Sequence, residues 1–204
     1  MRTILVLLAA LTLAACNNVH SVRPLVTAAE GAPALKHGLW AGIDKDCAFD
    51  PARALADWPD CASGLMVDAD HIRSVGAGQK DVMAYRLSGR FPTVVQALIE
   101  SDPGGKAPDD APLGPYQYLG LKVLSSDRGG VATEAAFWTA LCGPPPPDVK
   151  PGVKNRFITE KPLPGLMIVG DACTADTLEA VRGSVQASQA WSPPGVLRWV
   201  RAKP

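Results

Sequence analysis

The chain lacks an excess of charge: 20 Lys and Arg face 20 Asp and Glu. No basic patch for nucleic acid or anionic lipid is indicated. After Leu13 no apolar run is long enough for a spanning helix, which needs ~20 residues. No Cys-x-x-Cys pair occurs, and none of the 3 histidines lies near Cys47, Cys61, Cys142 or Cys173 in sequence. A structural zinc site or a redox-active dithiol therefore lacks its usual spacing. G-x-S-x-G, H-E-x-x-H and G-x-x-x-x-G-K-[ST] are all missing. Gly76-Ala77-Gly78-Gln79-Lys80 approaches the last of these, misses its spacing, and reads as a hairpin turn. These absences predict a non-enzymatic protein with no cofactor, no metal and no nucleic-acid partner.

What is present starts at residue 1. Arg2 is a short positive segment, Ile4 to Leu13 is almost unbroken apolar sequence, and Leu13-Ala14-Ala15-Cys16 closes it. The pattern reads as a secretory signal. Its last four residues resemble the lipobox of bacterial lipoproteins. The resemblance implies cleavage before Cys16, a diacylglyceryl thioether on its sulfur, and acylation of the new amine. Two or more acyl chains anchor stably where one binds marginally. In that family an Asp after the cysteine favours the inner membrane. Asn17 stands here, which implies the outer membrane, facing the periplasm. Residues 1–15 are thus expected to be a signal peptide. Their removal deletes only Arg2 from the charged set, leaving 19 basic against 20 acidic side chains.

Apart from Cys16, four cysteines remain: Cys47, Cys61, Cys142 and Cys173. An even number in an exported chain predicts two disulfides. Four cysteines allow three pairings, and nearest neighbours, Cys47–Cys61 and Cys142–Cys173, are the preferred set. In the chain-entropy model a closed loop of about 15 residues contributes ~3 kcal/mol.

Residues 16–36 have little periodicity and read as the lipidated N-terminus and a flexible tether. Residues 37–204 read as one disulfide-stapled domain. Asp44 to Pro51 departs from a calcium-loop pattern and reads as a turn, and Trp58 is expected to pack on the first disulfide. Strands are expected at 65–67, at 81–88 with Met83, Tyr85 and Leu87 on one face, and at 93–100. Further strands fall at 116–124 with Leu119, Leu121 and Val123 inward, at 131–141, 157–159, 166–169 and 196–200. Ser101 to Pro115 is a long loop, and Pro144 to Pro147 a stiff crossing. Thr174 as N-cap, with Leu178, Val181 and Val185 at helical spacing, predicts a helix over about 174–191. The fold class is mainly β (α+β): an antiparallel β-barrel or sandwich with one C-terminal helix and a closing strand.

Gly38-Leu39-Trp40 is similar to the G-x-W of the first lipocalin strand. That resemblance implies a late arginine, here Arg198, packed on Trp40, and a helix before the last strand. The sequence thus predicts a non-catalytic envelope lipoprotein that binds or scaffolds at the membrane surface. The alternative is a lipocalin-like carrier whose apolar cavity is lined by Met83, Tyr85 and Trp138. Asp68-Ala69-Asp70-His71 is the best polar cluster and reads as a turn.

The anchor is tested by metabolic labelling with a radioactive fatty acid. The wild type is expected to carry label and sediment with membranes, whereas Cys16→Ala carries none.

Overall fold

A computed structural model describes residues 17–44, 47–75, 82–89, 91–99, 114–145, 158–170 and 172–203. Eight antiparallel strands form a closed barrel. They are β2 (Gly38–Ile43), β3 (Ala62–Val67), β4 (His71–Val75), β5 (Val82–Ser88), β6 (Thr93–Ile99), β7 (Tyr116–Ser126), β8 (Ala132–Thr139) and β11 (Gly195–Arg201). Each pairs with the next, and β11 fills the gap between β8 and β2. Outside the barrel, β1 (Val19–Ser21) extends the ladder of β7, followed by β10 (Ala172–Ala175) and the edge strand β9 (Leu166–Val169). The single α-helix among the described residues, α1, covers Leu178–Ser188.

Period-2 alternation decides which side chains enter the barrel. Paired positions confirm one continuous inner face: Trp40 opposes Leu65 and Trp199, Met83 opposes Ile72, Tyr85 opposes Ala97, and Leu121 opposes Phe137. Trp40, Val67, Ile72, Tyr85, Leu87, Val95 and Leu121 are buried there. The inward sets expected for 81–88 and 116–124 are therefore observed, and 131–141 supplies a strand.

A second core lies outside the barrel wall, under α1. Val181 and Val185, one turn apart, pack with Val94, Tyr118 and Trp138. Burying each valine contributes ~1.5 kcal/mol or more. Ser184 donates to the Leu141 carbonyl at 2.7 Å, and Ser188 accepts from the Leu141 amide at 2.8 Å. Leu141 lies just beyond β8, so the helix satisfies backbone groups that the barrel ladder leaves behind. The helix is shorter than the sequence predicted. Residues 172–175 are strand, held by pairing to β1 and β9, and Thr177 is the N-cap instead of Thr174.

The tether expected at 16–36 is also corrected from Asn17 onward. Asn17 to Ser21 are buried, and Gln96 Oε1 accepts the amides of Leu25 and Val26 at 2.7 and 2.8 Å. Residues 29–37 then close one end of the barrel. Leu35 joins the inner core, and Trp40 Nε1 donates to the Lys36 carbonyl at 2.7 Å. Trp199 Nε1 donates to the His37 carbonyl at 3.0 Å. Val19 and Val26 are buried in the outer core with Leu25 packed against it, so apolar and polar contacts together hold this segment. The strand expected at 157–159 is not formed by Ile158 and Thr159, which are buried without a ladder, and Phe157 lies outside the described residues. So do Gly76 to Lys80, most of the 101–115 loop, and Pro146 and Pro147.

Gly120 opposes Trp138, and a Cβ there would overlap the indole ring. That indole donates to the Val185 carbonyl at 2.8 Å and so seats the helix. Gly120→Ala is expected to cost about 1–3 kcal/mol through overpacking, read as a lower denaturant midpoint with an unchanged slope.

Candidate functional site

Asn17, just before β1, is buried in the layer outside the barrel. Its Nδ2 donates to the Gly143 carbonyl at 3.2 Å, and its Oδ1 accepts the Thr159 amide at 3.1 Å. Its carbonyl accepts the Cys142 amide at 2.7 Å. Two segments distant in sequence, 142–143 and 159, meet on one side chain and one carbonyl. The Cys142–Cys173 disulfide lies beside them, since Val19 pairs with Cys173. The second disulfide joins Cys47 and Cys61, as expected. Cys16 itself lies outside the described residues.

Beside this clasp runs the open edge of the sheet. In β9, Leu166 turns into the outer core, but Met167, Ile168 and Val169 are 48, 37 and 53% exposed. Ile168 opposes Cys173, which opposes Val19, and Val169 opposes Ala172. The apolar edge therefore comes level with the beginning of β1. Nothing in the period of Leu166-Met167-Ile168-Val169 distinguishes an edge strand from a central one, so sequence reasoning missed this feature.

The other end of the barrel is different from the floor. Met83, Leu119, Phe137 and Leu197 face inward near it and stay partly exposed. The loop clipped by Cys47–Cys61 joins β2 to β3 at this end. Trp58 packs edge-on against Phe49, with ring centroids 4.8 Å apart. An open depression of about 500 Å³ lies by Phe49, Arg53 and Pro59. Another, of about 410 Å³, lies between Leu163 and Gly165 and the start of α1.

The carrier reading names three residues that the barrel does not bring together. Met83 and Tyr85 face the interior, but Trp138 faces outward beneath α1. Both faces of β8 are buried, so alternation alone could not assign Trp138 to a side. Arg198 does not pack on Trp40. Its guanidinium pairs with Glu134 at 2.8 Å on the outer surface, and Trp199 is the residue opposite Trp40. The cation near an inward indole is Lys36, 4.3 Å from the Trp199 centroid and 3.2 Å from Asp127. Hydrogen bonding, first to Lys36 and then to the Val131 amide, lowers the Asp127 pKa.

Asp70 and His71 sit on the exposed β3–β4 turn, with Asp70 Oδ1 2.6 Å from His71 Nδ1. Asp68, on the same turn, pairs with Arg73 of β4. The Tyr85 hydroxyl donates to the Asp68 carbonyl at 2.9 Å. Among the described residues no group of three or more His, Cys, Asp or Glu is placed to hold a metal. No helix among them is long and apolar enough to cross a membrane, which leaves strands unaddressed. Comparison with family models, with curated proteins and with solved structures finds no match for this chain. The closed barrel is compatible with a binding protein of the lipocalin kind.

Burial, then the charges of Asp70 and Asp68, push the Tyr85 hydroxyl up to about 12. A raised folded pKa means that the native state keeps its proton where the unfolded chain, at ~10, has lost it. This contribution is complete below pH ~10 and is lost as pH rises toward ~12. Wild type is expected to lose stability over that interval more steeply than Tyr85→Phe, measured by denaturant titration at stepped pH.

Proposed function

We propose that this protein is an envelope lipoprotein, held through acylated Cys16, that acts by binding or scaffolding rather than by catalysis. The observation that supports it is the junction at Asn17. Three hydrogen bonds lock this residue into the layer packed outside the barrel, so an anchor on its neighbour would hold the whole body at the membrane surface. On this reading the body faces the periplasm from the outer membrane, with its loops free to meet a partner. The lipobox supplies the address and the barrel supplies a rigid surface. The Asp70–His71 contact is a solvated hydrogen bond at the β3–β4 turn.

A second reading, the carrier of a small apolar ligand, is favoured by one observation. The barrel is closed by residues 29–37 at one end, while Met83, Leu119, Phe137 and Leu197 are partly exposed inside the other. Apolar side chains at an end of this kind suit an apolar guest.

The two readings separate by experiment. Photo-crosslinking from the 47–61 loop in native membranes is expected to yield a discrete protein adduct. An apolar fluorescent probe is expected to show no saturable 1:1 uptake. Saturable uptake abolished by Met83→Arg would establish the carrier and displace the scaffold.

A further inference from the structure

We propose that the β9 edge, Met167 to Val169, rests in the headgroup boundary of the bilayer that holds the Cys16 lipid. This deepens the anchored reading and depends on it. Cys16 is one peptide from Asn17, so their Cα atoms are ~3.8 Å apart. Asn17 is buried and hydrogen-bonded on three sides. No spacer therefore separates the lipid from the folded body, and the bilayer surface must pass close to the start of β1.

Sheet geometry then fixes what else lies there. The parallel ladder places the start of β10 beside the start of β1, and the antiparallel ladder places the end of β9 beside that. Two strand spacings amount to ~10 Å, so Val169 lies within that lateral distance of the anchored end. Three consecutive apolar residues at an open edge would ordinarily invite pairing with another chain. At this location a bilayer covers them. The mature chain carries 19 basic and 20 acidic side chains, Arg2 having left with the signal, so contact through apolar side chains needs no anionic lipid.

The test uses the lipidated protein, extracted from membranes and reconstituted in phosphatidylcholine vesicles, then treated with dilute peroxide. Met167 is nearly half exposed in the protein itself. Met66 is partly buried on β3, which is four strands from β7 in either direction round the barrel. Exposure alone makes Met167 the faster to form sulfoxide. Docking is expected to reverse that order, with Met167 lagging Met66 by about threefold, equally in neutral and in anionic vesicles. Ile168→Asp is expected to abolish the lag. Acylated Cys16 with Met167 oxidised first overturns the docking and leaves the anchor standing. An unacylated Cys16 in the same digest overturns both. A lag that vanishes when protein is diluted in lipid assigns the edge to a second copy and overturns the proposal.

Discussion

The fold depends on β11 lying between β8 and β2. Seven strands run in succession from β2 to β8, each bonded to its neighbour, and would leave two raw edges. The last strand satisfies both at once, through Leu197 to Ala135 on one side and Trp199 to Trp40 on the other. Closure removes the edges and encloses Trp40, Tyr85 and Leu121 in one core. The chain reaches this gap only after leaving the barrel, forming β9, β10 and α1, and returning. The outer layer is thus the route by which the closing strand arrives.

That outer layer is held by a different chemistry from the interior. Inside, apolar side chains meet across antiparallel pairs. Outside, valines share the load with Ser184, Ser188, Gln96, Asn17 and Tyr118, whose polar atoms reach backbone groups or each other. The Tyr118 hydroxyl lies 2.6 Å from Ser21 Oγ. Burial raises the Tyr118 pKa, and the hydrogen bond to Ser21 opposes the shift. Buried polar groups with partners specify position more tightly than apolar contact does. The N-terminal segment is fixed in both ways, by the hydrogen bonds of Asn17, Ser21 and Gln96 and by the burial of Val19, Val26 and Leu35.

This division explains what the sequence could reveal. Strands with a clean inward set, such as Met83-Tyr85-Leu87, carry their own evidence, because one face meets the core and the other meets solvent or a polar layer. Count alone left three cysteine pairings open, and the nearest-neighbour set preferred among them is the one observed. Residues 17–36 and 172–175 did not reveal themselves. Their positions are set by partners remote in sequence: Gln96 for Leu25 and Val26, Gly143 and Thr159 for Asn17, and β1 and β9 for Cys173. Thr174 and Thr177 offer the same capping chemistry three residues apart, and only the ladder around β10 decides between them. Trp138 shows the same limit from another side, since a strand buried on both faces has no alternation to read.

Asn17 carries two demands. The lipoprotein resemblance treats the residue after the cysteine as a sorting signal, which asks only that it not be acidic. The fold asks more, because the amide nitrogen must donate to Gly143 while the oxygen accepts from Thr159. An aspartate keeps the acceptor and loses the donor, leaving a carboxylate against a carbonyl in a buried site, at a cost of about 1–3 kcal/mol or more. Mislocalisation of such a variant would therefore mix a changed address with a loosened outer layer. Serine or alanine at this position would alter that layer without adding charge. They separate the loss of the donor from the burial of a carboxylate, which aspartate alone adds.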